Sequence, residues 1–206
     1  MRGIGLNLQL RRSLRRTDDP ARLPGSVVLP LVAMKHRIAL ALLALAWVGP
    51  AAAMELTSPD IRDGGEISLE QIYPRCGGAN VSPALKWSGM PAGTKSLALS
   101  MIDVDVKPAM WSHWLVVDLP PNTTGLPKGA AQLPVGAKPL MTDFGDAAYG
   151  GPCPPKGSGV HHYQFTLWAL PYDTIAFPRG ATTEEVSAAL SKVSLAKATL
   201  TGTYQR

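Results

Sequence analysis

"SLALSMIDVDVKPAMWSHWLVVDL", residues 96–119, holds two short runs of strand-forming residues, 96–103 and 113–119, separated by a segment carrying Asp103, Asp105 and Pro108. Each run is aliphatic or aromatic, shorter than an ordinary helix, and bounded by Asp, Pro or Ser, which is the signature of a buried strand. "HYQFTLWAL" (162–170) and "AKATLTGTY" (196–204) repeat the pattern farther along. Four such strands predict a mainly β domain built as an antiparallel sandwich. Between the last two, "TTEEVSAALSKV" (182–193) places Val186, Ala189, Leu190 and Val193 at helical spacing, with Thr182 and Glu185 spaced as a capping box. One helix near the C-terminus is therefore expected, and Glu184 and Glu185 sit in its first turn, where the helix dipole favours negative charge.

The first quarter of the chain has a different character. From Met34 the sequence runs Lys35, His36, Arg37, then an apolar run over 38–48, then Gly49, Pro50 and three alanines ending at Ala53. A basic start, a short apolar run and an Ala-x-Ala site make a secretory signal peptide, cleaved after Ala53. The run is too short for a membrane-spanning helix, which needs roughly 20 apolar residues. No transmembrane anchor is expected after cleavage, and no cysteine follows the leader to carry a lipid. Residues 1–33 are rich in Arg and show no sustained periodicity, so translation is expected to start at Met34. Residues 34–53 form the leader and 54–206 the mature domain, periplasmic or secreted.

Charge divides along the same line. Residues 1–53 contain eight Lys or Arg and two Asp, whereas 54–206 contain twelve Lys or Arg and thirteen Asp or Glu. The basic balance belongs to the leader, and the mature part has no Lys or Arg cluster of the kind that binds nucleic acid. It is the size of one domain and holds both cysteines, Cys76 and Cys153. In an oxidising compartment an even pair reads as one disulfide, against the alternative of two buried thiols.

Chemistry-bearing residues gather at the strand ends. Asp103 and Asp105 lie where the first strand runs out, and His113 opens the second. His161, His162 and Tyr163 follow the loop "GGPCPPKGSGV" (150–160). Strand ends and adjoining loops hold a site rigidly while leaving it open. Trp111 and Trp114 flank His113; Trp114 is expected in the core and Trp111 at the rim of a pocket.

Two stretches, "CGGANVSPALKWSGMPAGTKSLALSMIDVDVKPAMWSHWLVVDLP" and "YGGPCPPKGSGVHHYQFTLWAL", resemble the phosphatidylethanolamine-binding protein family, and more closely its bacterial Raf kinase inhibitor-like branch. The likeness runs from about Leu56 to Tyr204. It implies a Greek-key-type β-sandwich with a C-terminal helix and a small anion pocket near one end. The family's motifs fall here on Asp103 and Asp105, on His113, on Gly151, Pro152, Pro154 and Pro155, and on His161 and Tyr163. His162 stands where the family often has Arg, and Val104 where it usually has Pro. The prolines and glycines of the loop suit a prebuilt pocket wall, since Pro fixes φ and Gly permits sharp turns and close approach. A bridge from Cys76 to Cys153 would tie that wall to the segment around Cys76.

Two imidazoles and a phenol can donate to phosphate or carboxylate oxygens. Ionised Asp103 and Asp105 would repel an anion, so at least one is expected to orient a histidine or to accept from a ligand ammonium or hydroxyl. A small anionic or zwitterionic ligand such as phosphate or phosphoethanolamine meets both signs. The leading expectation is thus an exported binding protein with no cofactor, no resident metal and no catalytic residue. A modulator acting on a protein partner is the alternative, and a metal- or Asp/His-dependent hydrolase the third reading. Against the last, the chain has no Gly-x-Ser-x-Gly, His-Glu-x-x-His or P-loop motif. Intact-mass analysis of the exported protein is expected to give a chain beginning at Met54; a species retaining 1–33 would overturn the leader assignment.

Overall fold

In a computed structural model of the chain, the described residues are 53–206; residues 1–33 and the leader up to residue 52 lie outside them. In chain order the elements are β1 (Glu55–Thr57), β2 (Gly65–Glu66), a 3-10 turn (Pro74–Cys76), β3 (Leu85–Ser88), β4 (Ser96–Asp103), β5 (Trp111–Leu119), β6 (Gly125–Leu126), β7 (Lys138–Pro139), β8 (His161–Leu170), α1 (Thr183–Val193) and β9 (Ala196–Tyr204). They make a three-stranded sheet, β1-β3-β6, and a six-stranded sheet, β2-β9-β8-β4-β5-β7. β8 returns past β7 and β5 to lie beside β4, the return connection of a Greek key. Pairing is antiparallel throughout except at the edge, where β2 runs parallel to β9 over Gly65 and Glu66.

β4 and β9 coincide with the expected runs, β8 starts one residue earlier, and β5 starts at Trp111. β4 is buried along its whole length because both faces of the large sheet are covered. On one face Leu97, Leu99, Met101, Val116, Phe165 and Leu167 pack against Leu56, Leu85, Trp87 and Leu126 of the small sheet. On the other, Ala98, Val117, Trp168 and Leu170 pack against Val186 and Leu190 of α1. The described residues therefore form three layers: sheet, sheet, helix. The small sheet went unseen in the sequence because strands of two to four residues are too short to establish alternation.

α1 begins as its sequence predicts. The Thr182 hydroxyl accepts from the Glu185 amide, and the Glu185 carboxylate accepts in return from the Thr182 amide. Such a cap contributes about 1 kcal/mol. Glu184 also has a structural use, since its carboxylate accepts from the Met110 amide at 2.7 Å and ties the helix to the β4–β5 connection.

Cys76 and Cys153 form a disulfide, with Cα atoms 5.5 Å apart, across a sequence separation of 77 residues. It joins the 3-10 turn to the proline-rich loop. Replacing both cysteines by serine is expected to lower the free energy of unfolding by about 4–5 kcal/mol, the chain-entropy figure for so long a loop. Urea unfolding of the two forms measures it; an unchanged midpoint would show that the wall is held without the bridge.

Candidate functional site

The site grows from the end of β4, where Asp103 is only 2 % exposed. A carboxylate removed from water needs partners. Its Oδ2 accepts from Nδ1 of His161 at 2.7 Å, and its Oδ1 accepts from the Asp105 amide at 3.0 Å. His161 reaches it because β4 and β8 pair with Asp103 opposite Tyr163, which puts His161 on the same face one diagonal step away. Val104, between the two aspartates, donates its amide to the His162 carbonyl at 3.1 Å. A proline there could not make that bond, so the valine fastens the turn by a different means.

His113 arrives from β5 by way of a bulge. Met101 pairs with Trp114 and Ile102 with Ser112, so His113 is the extra residue and stands opposite no partner. The bulge lets His113 and Trp114 face inward in succession, Trp114 into the core and His113 against Tyr163, with ring centroids 5.1 Å apart. The His113 Nδ1 donates to the Gly150 carbonyl at 2.7 Å, and the Gly150 amide donates back to the His113 carbonyl at 2.8 Å. A carbonyl can only accept, so Nδ1 carries the proton and the neutral ring presents Nε2 as a free acceptor. Burial pushes the His113 imidazole below its ordinary value; the Gly150 carbonyl and the Asp103 charge oppose that without reversing it.

Tyr163 is fully buried, and its hydroxyl has no hydrogen-bond partner among the described residues. Burial, then the charge of Asp103 and the approach of its carboxylate to the hydroxyl outside hydrogen-bond geometry, pushes it far above the ordinary phenol range, so it remains a neutral donor. His113, Tyr163, Asp103 and His161 line a cavity of about 280 Å³, closed by Pro154, Pro155, Cys153, Val106, Phe144 and Trp111. That volume lies just under the range of about 300–1,000 Å³ typical of drug-sized pockets and suits a small polar molecule. A larger hollow of about 730 Å³ beside Asn80, Leu133 and Tyr149 contains no other ionisable side chain than Tyr149, whose hydroxyl already donates to the Gln71 carbonyl.

The structure thus brings together Asp103, His113, Pro154, Pro155, His161 and Tyr163, while three of the expected site residues do not line the cavity. Asp105 turns outward, accepting from the His162 amide at 2.6 Å and from its ring at 2.8 Å. Partial burial would raise its carboxyl, but the His162 bonds outweigh this and hold it below the usual value. Gly151 lies behind the wall, where its amide donates to Asn80 Oδ1 at 2.7 Å and a Cβ would collide with the backbone of Gln71 and Ile72. Pro152 offers only its carbonyl, which accepts from the Tyr73 amide. Asn80, Phe144, Val106 and Ser158 were not singled out in the sequence. Asn80 had a signal, an Asn in a glycine-rich turn, and it adopts positive φ there. Among the described residues no group of three or more His, Cys, Asp or Glu is arranged to hold a metal ion, and no helix is long and apolar enough to cross a membrane.

Comparison with known proteins agrees with this fold. The family model described as phosphatidylethanolamine-binding protein matches residues 57–205. Protein YbcL of Escherichia coli is 39 % identical over 163 residues, covering 75 % of this chain and 89 % of that protein. The putative lipoprotein LppC of Mycobacterium tuberculosis is 38 % identical, covering 76 % of each. The crystal structure of E. coli YbcL superposes with a TM-score of 0.70 at 38 % identity, over 75 % of this chain and 99 % of that one. A phosphatidylethanolamine-binding protein homologue from Chlamydia trachomatis gives a TM-score of 0.63 at 34 % identity, over 75 % and 98 %. With its two sheets, its C-terminal helix and its cavity at the ends of β4, β5 and β8, the chain belongs to the phosphatidylethanolamine-binding protein family.

Proposed function

We propose that the protein is an exported binding protein for a small anionic or zwitterionic ligand, of the phosphate or phosphoethanolamine type. The observation that carries this reading is the pair of unused polar groups in the cavity, the buried Tyr163 hydroxyl and the His113 Nε2. A buried hydroxyl without a partner costs about 1–3 kcal/mol, and a ligand oxygen that accepts from it recovers that cost. His113 complements it in either of two ways: Nε2 accepts from a protonated phosphate oxygen, or it takes a proton and pairs with the anion. Asp103 has both oxygens engaged, which weakens its opposition to an anion and leaves lone pairs for a ligand ammonium. Export is supported by the disulfide, which suits an oxidising compartment, and by the leader features of the sequence.

Tyr163→Phe separates this reading from a purely structural one. It removes only the hydroxyl, so the fold is expected to gain about 1 kcal/mol in urea unfolding while calorimetric affinity for phosphate or phosphoethanolamine falls about tenfold or more. Loss of stability with unchanged affinity would refute it. Proton linkage provides a second test. The free His113 imidazole titrates below its ordinary value because it is buried, and a bound anion raises it, so binding takes up a proton in the interval between the two. Affinity for sulfate, whose charge is constant, is expected to rise as pH falls from neutral, by at most about tenfold per pH unit, and to stop rising once free His113 is protonated. His113→Asn keeps a donor for Gly150 and is expected to flatten the dependence.

A further inference from the structure

Ser158 occupies the exposed tip of the loop between Gly157 and Gly159, both of which have positive φ. Its Oγ lies 2.9 Å from Nε2 of His161, the nitrogen opposite the one held by Asp103 at 2.7 Å. Asp103 and His161 are 2 % and 6 % exposed, so the imidazole is fixed in orientation and shielded, while the hydroxyl at its far end meets solvent. The order carboxylate, Nδ1, Nε2, hydroxyl is that of a relay that activates a serine. The Gly159 amide, directly after Ser158, has no protein acceptor among the described residues. A free amide in that position is where serine hydrolases place a donor for the developing oxyanion.

We propose that Ser158 is an acyl-accepting nucleophile toward small carboxylic esters, with His161 as general base and Asp103 as the positioning residue. Ser158 Oγ bonds to the ester carbonyl carbon as its proton passes to His161 Nε2. The bond from carbon to the leaving oxygen then breaks, and that oxygen departs with the proton as an alcohol. Water repeats the exchange and releases the carboxylic acid, restoring the serine. The Ser158 hydroxyl is also 2.8 Å from the Pro155 carbonyl, so its one proton is shared between two acceptors, and donation to Nε2 is the reactive arrangement. The neighbouring cavity, with Val106, Trp111, Phe144 and Pro155 on its apolar side, has room for a short acyl chain. This activity is additional to anion binding and does not depend on it.

The test treats the purified protein with a fluorophosphonate, which transfers phosphorus to an activated serine with loss of fluoride, and maps the adduct by mass spectrometry. The expected result is one adduct on Ser158, none in Ser158→Ala, and labelling roughly 100-fold slower in His161→Gln, the usual scale of general-base assistance. Burst release of nitrophenol from p-nitrophenyl acetate is expected to disappear in Ser158→Ala. Absence of label on Ser158, or equal labelling of the urea-unfolded chain, overturns the proposal. The unfolded control serves even where His161→Gln fails to fold. Phosphate titration of Ser158→Ala reports on the anion pocket separately.

Discussion

A carboxylate buried at the end of the central strand constrains much of what surrounds it. Asp103 cannot be left alone inside a protein, because an unpaired buried charge costs several kcal/mol. Its partners come from β8 and from the backbone of the next turn. Meeting that need requires β4 and β8 to be neighbours in one register, with His161 on the inner face. A slip of one residue would turn His161 and Tyr163 to the wrong side of the sheet. The hydrophobic layers stabilise the sandwich and favour this register, and the Asp103–His161 contact adds a cost to any other pairing that would separate the two.

The cavity divides its work between a rigid wall and a few groups with spare bonding capacity. The wall is the loop from Gly150 to Pro155, fastened to β5 by the reciprocal His113–Gly150 bonds, to Asn80 through Gly151, and to the 3-10 turn by the disulfide. These fastenings use backbone groups, Asn80, the disulfide and one of the two nitrogens of the His113 ring, so the other nitrogen stays free. What remains inside is left over by design of the geometry: one phenol, one imidazole nitrogen and a carboxylate with partly used lone pairs. Preorganisation of this kind would let a small ligand bind without ordering a loop, which is where weak sites lose affinity.

Much of the framework was legible because its elements are long. β4 and β9 read directly from their composition, and α1 from its capping box and apolar spacing. The site was legible in its residue types, and the resemblance to a family supplied which of them belong together. Direction was not legible. Strand alternation would put Asp103 and Asp105, two residues apart, on one face; β4 ends at Asp103, and in the turn beyond it Asp105 engages a surface histidine while Asp103 points inward. Phe144 and Val106 come from irregular connections with no period to follow. Simple alternation also fails at His113 and Trp114, because a bulge adds one residue to β5 and nothing in "AMWSHWL" announces it.

That bulge gives the family resemblance a numerical meaning. Because His113 is an added residue rather than a paired one, the count of residues between Trp111 and Trp114 encodes the site as firmly as their identities do. A substitution within those four positions changes a side chain without changing the count. A single deletion would instead restore a regular ladder, carry the histidine out of the cavity or remove it, and leave the sheet intact. Length variation among relatives should therefore collect in the outer loops, while this short segment keeps a constant length even where its residues change.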